Sequence, residues 1–314
     1  MTILGAIVGG LLAVASGAPP PEPRPLFELA TPTGLAASTW ASLAYDRQHD
    51  ELFAVYDGFV HVFNVAGMET FRFGGDSEAG AVQRVAILEN GEFLLLSSLD
   101  GRPAIVRCDF RGERLGRLEL KPLPEGFADF RPDRILVQGG KVHLVESQRM
   151  RVVVADEQGA VEKTHDLASA IRAVEPQARL GMNGFWVDAQ GTMYATLPYS
   201  FTTFVLTPGQ PPRQFGTRGS SPGKFNIVGA ITTDEKGTIF VLDRLRSVVM
   251  VFTPELKFVL EFGYRGDGPE NLTAPFDIAV GNGKIFVSQA RSRGVKAFEY
   301  DPAWKPALTD GPKP

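Results

Sequence analysis

The chain has 314 residues, of which 44% are hydrophobic and 22% are charged, and these are the proportions of a globular protein. The formal net charge is −4, so no overall basic field argues for binding to nucleic acid. The length is large for one ordinary domain, but all-β and repeat folds commonly reach it, and the 34 glycines and 23 prolines indicate many turns.

The N-terminal segment has the character of an export signal. Residues 3–15 form an apolar run without charge, and residues 13–15, Ala-Val-Ala, have the small-x-small form of a signal-peptidase site. The run is too short to span a bilayer comfortably, and no Lys or Arg precedes it. We predict a cleaved signal peptide at residues 1–15 and therefore an extracytoplasmic protein, periplasmic or secreted. A retained membrane anchor and a mis-assigned start or buried segment are the alternatives.

The rest of the chain is built from six units of similar length. Each unit contains a turn residue that precedes its second strand, and these residues recur at intervals of 41 to 51. They are Asp50, Gly91, Gly140, Gly191, Gly237 and Gly283. Every unit opens with a short run that is apolar on both faces, as expected of a strand buried on both sides. Six such units of about four short strands predict an all-β, six-bladed β-propeller with four-stranded antiparallel blades.

The last two units match each other in sequence. Residues 215–219, Phe-Gly-Thr-Arg-Gly, recur as residues 262–266, Phe-Gly-Tyr-Arg-Gly, and the run Gly-Thr-Ile-Phe-Val at 237–241 recurs as Gly-Lys-Ile-Phe-Val at 283–287. The order of a Phe-Gly turn, a Gly-rich loop, a short inner strand, an acidic-Gly turn and two further strands resembles the NHL repeat. NHL repeats build β-propellers, so the resemblance implies the same fold.

The sixth unit lacks a fourth strand, because after Phe298 the chain enters a Pro-rich tail. Residues 26–29, Leu-Phe-Glu-Leu, alternate as an outer strand does and lie ahead of the first inner strand. Closing a ring removes the unpaired backbone of an open sheet edge. We therefore predict that this N-terminal strand completes the last blade. The predicted domains are a Pro-rich linker at 16–25, the propeller at 26–303 and a flexible tail at 304–314.

One insertion interrupts the repeat between the third and fourth units. Leu167, Ile171 and Val174 recur at helical spacing, Asp166 is placed to cap the first turn, and Pro176 ends the pattern. We predict a short amphipathic helix that packs its apolar side on a blade as a lid. A partner-binding helix is the alternative.

The residues that commonly hold metals are dispersed. His49, His61, His143 and His165 fall in different units or strand types, whereas a metal site needs ligands that converge on one point. Peptide-amidating lyases, which resemble NHL proteins, use blade histidines as ligands, and no matching set is present. Lactonase-type propellers use carboxylates and amides at the channel mouth, and six residues at the ends of inner strands are candidates. They are Asp46, Glu89, Asn90, Asp188, Asp234 and Asn282.

Asp46, Asp188 and Asp234 occupy equivalent positions of the repeat, which favours a structural role in turns. Cys108 is the only cysteine, so no internal disulfide can form, and its strand pattern predicts a small buried side chain. We predict no metal and no cofactor.

Arginines recur in two sets of loops that a four-stranded meander brings to one face. Six of them are the candidate ligand-binding residues, and we call them the rim arginines. They are Arg149, Arg151, Arg218, Arg246, Arg265 and Arg293. Arginine suits the recognition of carboxylate and phosphate groups. The alternative is solvated loop charge with salt bridges to acidic neighbours such as Asp243, Asp267 and Glu270.

Because no catalytic constellation is visible, we predict a non-enzymatic binding or scaffold module for a protein or an anionic ligand on this loop face. The alternative function is a metal-dependent hydrolase or lyase of the lactonase-like propeller type. We expect a monomer with no nucleic-acid partner and no transmembrane span in the mature chain.

Overall fold

A computed structural model describes residues 22–76 and 78–301 of the chain. The predicted signal peptide, most of the linker and the C-terminal tail lie outside the described residues. Twenty-four of the strands form six four-stranded antiparallel sheets, which are the blades of a six-bladed propeller. The predicted fold class is thereby confirmed.

The strands follow one another in chain order. The N-terminal strands are β1 (Arg24–Glu28), β2 (Ala30–Thr31) and β3 (Gly34–Leu35). Blade 1 consists of β4 (Ser42–Asp46), β5 (Glu51–Tyr56), β6 (Phe59–Phe63) and β7 (Glu69–Phe73). Blade 2 consists of β8 (Ala81–Ile87), β9 (Phe93–Leu99), β10 (Arg102–Cys108) and β11 (Arg114–Arg117). Blade 3 consists of β12 (Arg134–Gln138), β13 (Lys141–Glu146), β14 (Arg151–Ala155) and β15 (Val161–Asp166).

A helix, α1 (Leu167–Val174), separates the two halves of the ring. Blade 4 consists of β16 (Gly184–Val187), β17 (Met193–Leu197), β18 (Thr202–Leu206) and β19 (Arg213–Phe215). Blade 5 consists of β20 (Val228–Thr233), β21 (Ile239–Asp243), β22 (Val248–Phe252) and β23 (Phe258–Phe262). Blade 6 contains β24 (Pro275–Gly281), β25 (Lys284–Gln289) and β26 (Val295–Glu299). No helix among the described residues is long and apolar enough to cross a membrane.

The missing strand of blade 6 comes from the N-terminus. β1 pairs antiparallel with β26, with Arg24 opposite Glu299 and Phe27 opposite Ala297. Leu29, which directly follows β1, is buried, and its N–H donates to the carbonyl of Val295 at 3.0 Å. The predicted closure is confirmed, and the strand begins at Arg24, two residues before the predicted start of the propeller.

The core lies between blades rather than inside any one of them. Each of six buried apolar clusters joins two successive blades, so every blade has an apolar layer on both of its faces. The cluster between blades 3 and 4 also takes in Leu167 and Ile171 of α1. Asp166 caps this helix by accepting the N–H of Ser169 at 2.9 Å, as predicted. Leu167 and Ile171 pack on the blades as the lid interpretation predicts, whereas Val174, the third member of the predicted apolar side, is 45% exposed.

The ring has two different ends. The connections between blades and the turns between second and third strands lie at one end, which we call the connector face. The turns between first and second strands, and those between third and fourth strands, lie at the hairpin face. At the hairpin face Asp188 accepts the N–H groups of Gln190 and Thr192, and Asp234 accepts those of Lys236 and Thr238. The predicted turn role of the repeated aspartates is confirmed.

Candidate functional site

The inner strands line an axial channel, and one position recurs near the connector end of each strand; the residues at this position in blades 1, 2, 3 and 6 line the channel. The pairing of first and second strands makes these positions equivalent, because Arg84 lies opposite Leu96, and Arg134 lies opposite Val145 one unit later. We call the six equivalent residues the mouth ring. They are Ser42, Arg84, Arg134, Gly184, Ala230 and Asp277. Three of the six are charged, and each of these three is followed directly by three apolar residues.

Arg134 is held rigidly in the ring. Its Nε donates to Ser147 Oγ at 3.0 Å, and Ser147 Oγ in turn donates to Asp133 Oδ1 at 2.7 Å. Its Nη2 donates to the carbonyl of Asn183 in the next blade. Burial, followed by the charge of Arg84, lowers the pKa of the Arg134 guanidinium below its ordinary value. The side chain is therefore a positioned, partly desolvated cation.

Arg84 lies beside Arg134 and has no counterion among the described residues. β8 and β12 are neighbours around the axis. Arg84 and Arg134 occupy equivalent positions in the pairing of these strands with β9 and β13. The Arg84 side chain makes no hydrogen bond or ion pair with any residue that the structure describes. Two like charges at the opening of a channel repel each other, so a bound anion would stabilise both.

Asp277 faces the two arginines from the far side of the ring. Its Oδ2 accepts the N–H of Leu43 in blade 1 at 3.0 Å, and its Oδ1 accepts the N–H of Ile278 at 3.0 Å. Within the described chain no ion pair of 4.0 Å or less joins it to either arginine. Arg134 also has Asp133 at 4.0 Å, so among the described residues Arg84 is the arginine of the mouth that has no acidic partner within this distance. The channel segment below it has a volume of about 140 Å³.

The structure gives two of the rim arginines structural partners. Arg151 lies against Glu146, with Nε to Oε2 at 2.7 Å, and its guanidinium stacks 5.1 Å above the ring of Phe127. Arg246 makes a two-pronged pair with Glu261, one contact of which is 2.8 Å. The side chains of Arg151, Arg246 and their acidic partners are nearly buried. Such pairs hold loops and strands together.

The other rim arginines are more exposed, but each also has a contact within the chain. Arg293 pairs with Asp267 at 2.7 Å, which is one of the salt bridges that the sequence suggested as the alternative. The remaining three are Arg149, which pairs with Asp129, Arg218, which stacks over Phe201, and Arg265, which donates to the carbonyl of Leu245. A ligand-facing role for the rim arginines stays a prediction.

Sequence reasoning missed Arg84 and Arg134, although a signal was present. Each is the single cation of its inner strand and directly precedes an apolar run, in Arg-Val-Ala-Ile and Arg-Ile-Leu-Val. An inner strand needs no charge for its packing. A charged residue that directly precedes the apolar run of an inner strand therefore indicates the channel mouth.

The described candidate metal ligands form pairs, such as His49 with Asp46 at 2.7 Å, rather than one cluster. His61 Nδ1 lies 2.7 Å from Glu69 Oε1, and its ring stacks on Tyr56 at 3.8 Å. Among the residues that the structure describes, no group of three or more His, Cys, Asp or Glu could hold a metal ion. Cys108 is buried, and this burial raises the pKa of its thiol to about 11, so it stays an unreactive thiol.

Comparisons with other proteins support the architecture. No family model and no curated protein matches the chain. A virginiamycin B lyase from Staphylococcus aureus, solved with quinupristin, is similar with a TM-score of 0.55 and 12% identity, over 90% of this chain and 89% of that one. A gluconolactonase from Xanthomonas campestris has a TM-score of 0.59 and 14% identity, over 92% and 99%.

A protein of unknown function from Bacteroides thetaiotaomicron has a TM-score of 0.61 and 11% identity, over 84% of this chain and 70% of that one. At these identities the likeness shows the fold and leaves the chemistry open. The chain shares the six-bladed propeller fold with proteins that include a lyase and a lactonase.

Proposed function

We propose that the protein is a non-enzymatic, NHL-type binding module that takes a carboxylate or phosphate group of its ligand into the mouth ring. The observation that carries this proposal is the unpaired Arg84 beside the anchored Arg134. A guanidinium offers parallel N–H donors that match the oxygens of carboxylate and phosphate. Because the hydrogen bonds of Arg134 hold it in place before binding, little freedom is lost when an anion arrives.

Asp277 makes the charge distribution of the mouth ring asymmetric. It repels an anion from its own side of the channel, so the anion should lie nearest the arginines of blades 2 and 3. The two backbone N–H groups that Asp277 accepts keep its carboxylate in position. The polarity of the mouth would thus orient a ligand as well as attract it.

The test is a calorimetric titration with inorganic phosphate and with acetate at low ionic strength. We expect Arg84→Gln to weaken binding of both anions at least tenfold while the melting temperature stays the same, because the Arg84 guanidinium makes no hydrogen bond or ion pair with the described residues. The matched control is Arg102→Gln, which removes the same charge from an exposed position of the same blade. Equal affinity in wild type and Arg84→Gln, or no anion binding by the wild type, would refute the proposal.

The metal-dependent hydrolase or lyase remains the alternative proposal, supported by the fold that the chain shares with a lyase and a lactonase. The mouth ring argues against it, since two arginines would repel a divalent cation at that point. Metal analysis of the purified protein separates the two functions. A stoichiometric divalent ion would support the enzyme.

We also propose that the protein is exported and acts outside the cytoplasm, on the basis of residues 1–15. Protein expressed with its native leader should have a mature N-terminus at or near Ser16. Intact-mass measurement decides this, and a cytoplasmic product that retains Met1 would rule it out.

A further inference from the structure

A group of large apolar side chains borders the mouth ring on the side opposite the arginines. We call it the apolar arc, and it consists of Trp40, Ile227, Leu245 and Phe276. Trp40 is 56% exposed, Leu245 is 51% exposed and Ile227 is 40% exposed. Phe276 directly precedes Asp277 of the mouth ring, and Trp40 lies two residues before Ser42. The arc therefore runs along the mouth on blades 5, 6 and 1.

Contacts link Trp40 and Phe276 to Arg244, which directly precedes Leu245 in the chain. The rings of Trp40 and Phe276 lie 6.4 Å apart, and the guanidinium of Arg244 stacks 5.5 Å above Phe276. The N–H of Arg244 donates to the carbonyl of Ile227 at 2.9 Å. Arginine stacked among exposed aromatic and aliphatic side chains is the composition of the energetic centre of protein interfaces.

Trp40 is held in an unfavourable backbone conformation. Its φ is 59°, in the left-handed region that a bulky side chain rarely occupies. Its N–H donates to the carbonyl of Gln289 at 3.2 Å, which ties the loop to blade 6. This bond holds the exposed indole of Trp40 beside the ring of Phe276.

The channel has room for more than an anionic group. The segment below the mouth ring encloses about 140 Å³, and the adjoining segment toward the hairpin face, which shares Trp186 with it, encloses about 400 Å³. What favours a macromolecule is the exposed apolar surface of the connector face, where Tyr264 and Tyr199 are also exposed farther out.

We infer that the connector face docks a partner polypeptide that presents an acidic side chain between large apolar side chains. The carboxylate would lie at Arg84 and Arg134, and the apolar side chains would cover the arc. Charge complementarity selects this occupant, because one end of the surface is cationic and the other apolar. The inference rests on the proposed function and extends it by naming the class of partner.

The experiment is selection of a phage-displayed random dodecapeptide library on the full chain. We expect the selected peptides to carry Asp or Glu flanked by large apolar residues. Their synthetic versions should bind at least tenfold more weakly to both Trp40→Ala and Arg84→Gln. Leu245→Ser provides a second variant of the arc if Trp40→Ala fails to fold. The matched control is Phe110→Ala, which removes a 66% exposed aromatic ring from the hairpin face and should bind normally.

The inference is overturned by failure to select any peptide, by selected peptides without an acidic residue, or by peptide binding that survives both arc variants. Phosphate titration distinguishes that failure from failure of the proposed function. Trp40→Ala should bind phosphate as the wild type does. If phosphate binding depends on Arg84 but peptide binding is unchanged in the arc variants, the proposed anion site is supported and only the proposed docking surface is refuted.

Discussion

The two ends of the axial channel differ in whether their cationic side chains have acidic partners. At the hairpin end two cations near the axis have acidic partners: Lys284 of blade 6 pairs with Asp50 of blade 1 at 2.6 Å, and Arg47 pairs with Glu235 at 2.9 Å. At the connector end Arg84 has none among the residues that the structure describes. Satisfied groups hold a fold together, whereas exceptions cluster where a protein works.

The pairs at the hairpin end have a clear structural task. Lys284 to Asp50 crosses the seam where the last blade meets the first, and Tyr45 donates its hydroxyl to the same Asp50. Charges at this end should therefore affect stability and leave binding unchanged. Charges at the mouth should do the reverse, and the following predictions test that division.

The largest effect should come from opening the ring, since both ends depend on its closure. Deleting residues 1–30 removes β1 and buried Leu29, and should lower the free energy of unfolding by several kcal/mol because a strand's pairing and burial are lost. Deleting residues 1–21 removes no described strand and should cost almost nothing. Melting temperatures of the two truncated proteins decide it, and equal values would contradict the role of β1.

A smaller but still large effect is expected at the connector face away from the mouth. Arg246→Met leaves the buried carboxylate of Glu261 without its partner, which should cost about 3 kcal/mol by the behaviour of broken buried pairs. The exposed pair of Arg293 provides the control, and Arg293→Gln should cost less than about 0.5 kcal/mol. Chemical denaturation measures both. If the Arg246→Met protein keeps its stability but no longer binds its ligand, Arg246 is a ligand-facing residue rather than a structural one.

His143 gives a pH dependence that belongs to neither end of the channel. Burial, with a smaller contribution from His165, lowers its pKa to about 4 from an ordinary 6.5. The folded state therefore keeps this ring neutral, and the unfolded state takes up the proton first. Stability is complete above pH 6.5 and falls as the pH drops toward 4, by roughly 2 kcal/mol between pH 7 and pH 5.

Unfolding by urea at both pH values measures this loss. In His143→Gln, which cannot take up the proton, the decrease between the two pH values should be correspondingly smaller. An equal decrease in both proteins would assign the pH dependence to other groups.

The smallest effect is expected at the hairpin end. Lys284→Met should cost about 1 kcal/mol, as a partly exposed pair does, and should leave phosphate affinity unchanged. Although burial acts to raise the pKa of Asp50, hydrogen bonds from Lys284 and Tyr45 hold it below its ordinary 3.8. This stabilisation is present above that value and is lost as the pH falls through the lower pKa of the folded state.

Wild type and Lys284→Met should therefore approach the same stability in acid. Thermal melts across the acid range test this, and a difference that persists at the lowest pH would show that the lysine stabilises the fold by packing rather than by charge.

The sequence by itself determined the number of blades, the strand that closes the ring, the capped helix at Asp166 and the turn role of the repeated aspartates. All of these follow from local chemistry: turn residues recur at a fixed interval, apolar runs match the strand period, and a side-chain oxygen caps N–H groups a few residues away. Such features need no knowledge of which distant residues meet.

Only the tertiary structure decided which arginines are free. Arg151 and Arg246 look available in sequence, but strand pairing brings Glu146 and Glu261 against them. Arg84 and Arg134 stand 50 positions apart in the chain and become neighbours because blades 2 and 3 pack side by side around the axis. Whether a charge is neutralised depends on what lies within a few ångströms of it, and in a ring of repeats that neighbour comes from another strand or another blade.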